Sequence, residues 1–165
     1  DNFFGTGLPP ASGNEGNWPW IAPRLADASI RPGPDDIAFA RDALRDLLRI
    51  RASSTLFRLD DAAEVSARLS FPNTGRGQDP LVVAGHLDGE GLAGAGFREI
   101  LYLLNTSPRT QTLELPGERG KRYALHPVHL APDAADARPR AQARFDPAHG
   151  RFTVPPRTAL VYVLE

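Results

Sequence analysis

The chain has 165 residues, a formal net charge of −1 and no cysteine. The charge balance gives no support to a nucleic-acid partner or an anionic membrane surface. The missing cysteines remove disulfides, thiolate catalysis and zinc–thiolate sites together, and no apolar run reaches the ~18 residues that a membrane-spanning helix needs.

Residues 1–34 hold six prolines and five glycines together with Phe3, Phe4, Trp18 and Trp20. Proline removes donors and fixes φ, so neither a long helix nor a central strand fits here. Yet the aromatics are too many for a disordered linker. The expectation is a long irregular loop that packs on something, with both tryptophans in packing roles. The chain opens on Asp1 inside this Gly/Pro/Asn-rich stretch, and we expect it to be a piece of a longer protein.

Residues 35–52 (DDIAFARDALRDLLRIRA) predict one strong helix, capped by Asp35 or Asp36 and stopped backward by Pro34. Ile37, Ala40, Leu44, Leu47 and Leu48 recur at helical spacing, and Phe39, Ala43 and Ile50 widen that face. The face is too broad for a lone surface element. Arg41, Arg45 and Arg49, interleaved with Asp42 and Asp46, read as a solvated, salt-bridged side.

Beyond Ser53–Ser54 the pattern changes. Residues 61–66 suggest a short helical turn, and Ala67, Leu69 and Phe71 alternate with polar residues as a half-buried strand. Short strands are predicted at 81–87, 98–105, 110–116, 121–127, 140–146, 151–155 and 158–165, separated by Gly, Pro, Asn and Asp. The apolar runs 81–84 and 100–104 are expected to be central. The fold class is therefore mainly β, an antiparallel β-sandwich preceded by an irregular loop and one long α-helix. Domain boundaries are expected at 1–52 and 53–165, because the opening fifty residues do not look like the same unit as the rest.

The search for chemistry finds little. His86, Asp88 and Glu90 alternate and would share one strand face, a pattern that can chelate a metal. The glycines at 85, 89 and 91 instead suggest an exposed turn. His126 and His129 in HPVH are the second candidate pair, but the intervening proline breaks the geometry, so they read as a surface strand end. His149 in DPAHG reads as a hairpin turn. No serine lies in a G-x-S-x-G context, no phosphate-binding glycine loop is present, and Asp35/Asp36 and Asp60/Asp61 look like helix caps. No metal ligand and no self-sufficient active site is expected.

Several motifs nevertheless carry a resemblance. DNFFGTGLPP (1–10), NEGNWP (14–19) and PRLAD (23–27) follow the pattern of pullulanase-type α-1,6-glucosidases: "N-x-[FWY]-G-x-GLPP", "N-x-x-[NS]-WP" and "RP-x-LAD". LLRIRASSTLFRL (47–59) is similar to the family's "LLRIR-x-SSPLFRL", with Thr55 in place of proline. FPNTG (71–75), LYLLNTSP (101–108), LHPV (125–128) and FTVPPRTALVYV (152–163) resemble further family stretches. His129 stands where the family has glutamine, and LDGEGLAGAGF (87–97) is shorter than the family's loop.

The resemblance implies the C-terminal part of a starch- and pullulan-debranching enzyme of the α-amylase superfamily. Such an enzyme cleaves α-1,6 branch points with retention, using an aspartate nucleophile and a glutamate acid/base. Those groups lie upstream of this chain, so no catalytic residue is expected here. Residues 1–52 would be the end of the (β/α)8 barrel, with 35–52 its last helix, and 53–165 the C-terminal sandwich. Because βα loops build the active face of a barrel, Asn2, Phe3, Phe4 and Trp18 are candidates for edging a glucan subsite. The implied partners are the catalytic barrel and the α-glucan substrate (pullulan, amylopectin or limit dextrin). No cofactor is expected in this chain, and calcium is left open for the parent enzyme. A bacterial, secreted or periplasmic location is favoured over a cytoplasmic one. The alternative is a stand-alone α-glucan-binding β-sandwich module, which needs exposed aromatics on one face. A third reading, a protein–protein adaptor, has no support beyond the fold.

Overall fold

The computed structural model describes residues 7–165. The chain divides into two compact units, residues 1–40 and 41–165. The boundary falls inside one continuous helix.

The first unit holds helix α1 (Trp18–Ala26) and the start of helix α2 (Pro34–Ala52). The stretch expected to be irregular is thus partly helical. Pro19 lies in the first turn of α1, where a missing N–H costs nothing. Pro23 lies inside the helix and removes the amide that would bond the carbonyl of Pro19. Helix α2 opens with Pro34 itself rather than after it, and the Asp36 carboxylate accepts the Gly33 amide at 2.8 Å.

The second unit carries the rest of α2, helix α3 (Ala62–Arg68), and eight strands: β1 (Leu69–Ser70), β2 (Val82–Asp88), β3 (Glu99–Asn105), β4 (Gln111–Glu114), β5 (Ala124–Leu125), β6 (Arg144–Asp146), β7 (Arg151–Val154) and β8 (Ala159–Leu164). Two short helices, α4 (Pro127–Leu130) and α5 (Arg138–Gln142), lie between β5 and β6. Asp61 caps α3 by accepting the amides of Ala63 and Glu64. The strands form two antiparallel sheets, ordered β1-β2-β3-β8-β5 and β4-β7-β6. This is the expected sandwich, and β2 and β3 are interior strands as their apolar runs predict.

Several predicted strands are shorter than expected: Ala67 belongs to α3 and Phe71 is exposed, so only Leu69–Ser70 pairs there, and of 110–116 only Gln111–Glu114 does. Of 121–127 only Ala124–Leu125 pairs, and of 140–146 only Arg144–Asp146 does. In both places a proline (Pro127, Pro139) starts a helical turn that ends or delays the ladder.

The large sheet is apolar on both faces because both faces have something to cover them. Leu101, Leu103, Leu160 and Tyr162 meet Leu113, Phe152 and Val154 of the small sheet. Ile100, Val161, Val163 and Leu87 point the other way, toward Ile50 of α2 and Leu56 of the following 3-10 turn. Asn105 ties the two sheets: its amide nitrogen reaches the carbonyls of Arg109, Val154 and Pro155, and its oxygen accepts the Ser107 N–H. Among the described residues no helix is long and apolar enough to cross a membrane.

Candidate functional site

The outer face of the large sheet is only partly covered. Beside Ile50 and Leu56 lies a groove of ≈ 410 Å³ whose walls include Leu47, Phe57, Leu69, Tyr102, Leu104 and Ala159. Leu47 and Leu104 are exposed. The groove depends on a glycine: a Cβ at Gly85 would stand 2.0 Å from Cζ of Tyr102, so the tyrosine ring occupies the space that glycine leaves. A surface of this composition can bury apolar area, and it carries no carboxylate, histidine, serine or lysine.

The polar chemistry lies elsewhere. His86 of β2 and Glu99 of β3 are joined at 2.9 Å (Nε2 to Oε2). Lys121 Nζ stands 2.6 Å from Glu99 Oε2 and 2.7 Å from Glu118 Oε2. The Tyr123 hydroxyl lies 2.8 and 2.9 Å from the same two oxygens. Burial alone would raise the Glu99 carboxyl, but hydrogen bonds from Lys121, His86 and Tyr123 outweigh it and hold the group down to about 2. Burial, with two carboxylates beside the hydroxyl, pushes the Tyr123 phenol far upward. His86, Glu99 and Glu118 approach closely enough to hold a metal ion, but the Lys121 ammonium already supplies the positive charge between the carboxylates. The arrangement is an internal ion cluster, and its carboxylates are spent on internal partners. His86 is therefore a half-buried residue in mid-strand, not part of an exposed turn; the turn begins only at Gly89, after β2 ends.

His126 and His129 also depart from expectation. They are buried, at 2% and 7% exposure, rather than at a surface strand end. His126 caps α4: its Nδ1 accepts the Val128 amide at 3.2 Å, which places its proton on Nε2. That N–H faces Ser53 Oγ at 2.9 Å, and the Ser53 hydroxyl donates to the Ile50 carbonyl at 2.7 Å. The imidazole donates to the serine instead of accepting from it. Ser53 and His126 thus resemble a nucleophile–base pair in composition but have the wrong polarity for one. His149, by contrast, lies in the expected turn and pairs with Asp146.

The sequence matches, over residues 1–165, the family described as alpha-1,6-glucosidases, pullulanase-type, C-terminal. The chain belongs to this family. Among curated relatives, the chloroplastic pullulanase 1 of Arabidopsis thaliana is 37% identical over 98% of this chain and 17% of its own length. The pullulanase of Klebsiella pneumoniae is 29% identical over 72% of this chain and 11% of its own. Crystal structures of Klebsiella pneumoniae pullulanase, apo and in complex with maltotriose, superpose with a TM-score of 0.77 at 29% identity, covering 96% of this chain and 17% of theirs. The chain thus spans under a fifth of the length of these pullulanases.

Of the candidate subsite residues, Asn2, Phe3 and Phe4 lie outside the described residues. Trp18 begins α1, half-buried, and its indole N–H donates to the Pro9 carbonyl at 2.9 Å. Sequence reasoning missed the Glu99–Glu118–Lys121–Tyr123 cluster, whose members are spread over 25 positions with no motif. His86 did carry a signal, since it shares the alternation of the buried Val82 and Ala84.

Proposed function

We propose that this chain is the C-terminal segment of a debranching glycoside hydrolase that cleaves α-1,6-glucosidic bonds in pullulan, amylopectin or limit dextrin. Residues 1–52 are the end of its catalytic barrel and 53–165 the sandwich that supports it. The catalytic carboxylates lie upstream; a retaining double displacement needs two of them roughly 5–5.5 Å apart with access to substrate. Glu99 and Glu118, shielded and bound to Lys121, cannot serve.

One observation carries the reading. No residue of 7–40 is buried, although this stretch bears Trp20 at 70% exposure and also Ile30, Ile37 and Phe39. Along the rest of α2, Leu44 and Leu48 remain 57% and 53% exposed. Scattered exposed leucines are ordinary, but a helix bare along its apolar stripe marks a surface made to be covered. The last helix of a barrel has that requirement, since its apolar face packs on barrel strands. In this reading Asn2, Phe3, Phe4 and Trp18 edge a glucan subsite of the same barrel.

A direct test is hydrolysis of pullulan, followed by release of reducing sugar. The 165-residue chain alone is expected to release none, and the enzyme that contains it is expected to be active. Reducing sugar released by the isolated chain would overturn the assignment. The glucan-binding alternative gains no support from the sandwich, where Phe71 alone among the aromatics is exposed.

A further inference from the structure

The ladder between β5 and β8 ends in an unusual way. Ala124 pairs with Val163 and Leu125 with Tyr162, and the His126 amide then donates to the Val161 carbonyl at 2.8 Å. The next main-chain partner is missing, because Pro127 turns the chain into α4. The Val161 amide donates instead to Nε2 of His129, at 3.1 Å and in a buried position. An imidazole nitrogen thus stands in for a strand carbonyl.

This substitution has a condition that a carbonyl does not. Nε2 accepts only while its lone pair is free; a protonated ring is a donor on both sides. Protonation would set an N–H against the Val161 N–H inside the sheet. His126 is bound by the same condition, since its Nδ1 accepts the Val128 amide at the cap of α4. Both imidazole contacts at α4 therefore need neutral rings.

We propose that His129 is an acid-sensitive latch that fastens the α4–α5 segment to strand β8 and releases it when the ring takes up a proton.

The charged groups around the ring act in both directions. Burial keeps the His129 ring neutral, and His126, the neighbour on its own element, adds to that effect. Asp136, in the loop after α4, and Asp46, on α2, favour the cation. The pull of each is blunted: Asp136 is paired with Arg138 at 2.7 Å, and Asp46 with Arg49 at 3.1 Å. Desolvation wins, and the His129 ring is pushed down to about 4. Burial lowers His126 as well. Asp46 also accepts the Ala135 amide at 2.8 Å, so the same loop is pinned to α2 by a second contact.

The test is amide hydrogen exchange of the 165-residue chain by NMR between pH 7 and pH 4, corrected for intrinsic rates. Protection of the Val161 and Val128 amides is expected to fall at least tenfold over this range, while Ile100 and Leu103 in β3 keep theirs. In His129→Gln, whose side-chain oxygen accepts an N–H at every pH, Val161 is expected to stay protected. Equal loss at Val161 in both proteins, or no loss in the unaltered chain, would overturn the latch. Should His129→Gln fail to fold, the ring nitrogen shifts of His129 in the unaltered chain decide. Nε2 must become protonated over the same pH interval in which Val161 loses protection, and a ring that titrates without that loss refutes the proposal.

Discussion

The two units of this chain handle apolar side chains in opposite ways. From Arg41 onward the strands bury them twice over, once between the sheets and once beneath the end of α2. Before Arg41 nothing described is buried, although about two in five of residues 7–40 are hydrophobic, as in the whole chain. The contrast lies in geometry rather than composition. A strand with two covered faces can bury every side chain it carries, whereas a helix buries only the stripe that meets a partner. Among its described residues the first unit supplies helical stripes and no second layer to receive them.

The comparison can be broken most forcefully inside the sandwich. Phe152 is fully buried and stacks on Phe145 with ring centroids 4.4 Å apart. Phe152→Ala should cost about 3–5 kcal/mol in chemical denaturation of the isolated chain, the usual toll of deleting a buried aromatic. A loss below 1 kcal/mol would mean that the core is not organised around this ring.

The ion cluster comes next. Lys121→Met leaves Glu99 and Glu118 facing each other without a cation and should cost about 2–3 kcal/mol near neutral pH, less than a fully buried pair because Lys121 is partly exposed. The pH dependence supplies a sign. In the unaltered chain the Glu99 carboxyl is held down to about 2, so its contribution is complete above the unfolded value near 4.5 and is lost as pH falls from there toward 2. In Lys121→Met acid neutralises the repulsion, so the gap between the two proteins should narrow as pH drops through the same range. A gap that widens in acid would rule out the cluster as described.

A smaller effect is expected at Gly85. Gly85→Ala drives a methyl into the Tyr102 ring. The ring is half-buried and can swing outward, so the expected loss is about 1–3 kcal/mol, with a change in tyrosine fluorescence as the ring moves. Smallest of all should be Trp20→Ala in the isolated chain, within about 0.5 kcal/mol, because an exposed side chain with nothing packed on it has little to lose. A larger loss would show that the first unit has a core of its own.

Much of this was legible from residues alone. The runs 81–84 and 100–104 announce central strands because both of their faces are apolar, and the helical spacing of Ile37, Leu44, Leu47 and Leu48 announces a helix with a broad stripe. Short-range patterns failed where proline acts. The stretch 140–146 alternates like a strand, yet α5, with Pro139 in its first turn, runs to Gln142 and leaves only three residues to pair. HPVH read as a surface strand end because its proline breaks regular strand geometry. Leu125 and Val128 pack on the apolar clusters while Leu130 stays exposed, and only the three-dimensional register reveals that His129 replaces a missing strand carbonyl. The ion cluster could not be read at all, since its members meet through strand pairing and a distant turn rather than through spacing.

The central claim is that the bare stripe of α2 is built for the upstream part of the proposed parent enzyme. Its most direct test is thermal denaturation of the double substitution Leu44→Asp/Leu48→Asp, measured both in the 165-residue chain and in the enzyme that contains it. The account predicts little change in the chain alone and a drop of several degrees in the larger protein, where burying an unpaired carboxylate costs a few kcal/mol. The same shift in both proteins, or none in the larger one, would contradict it.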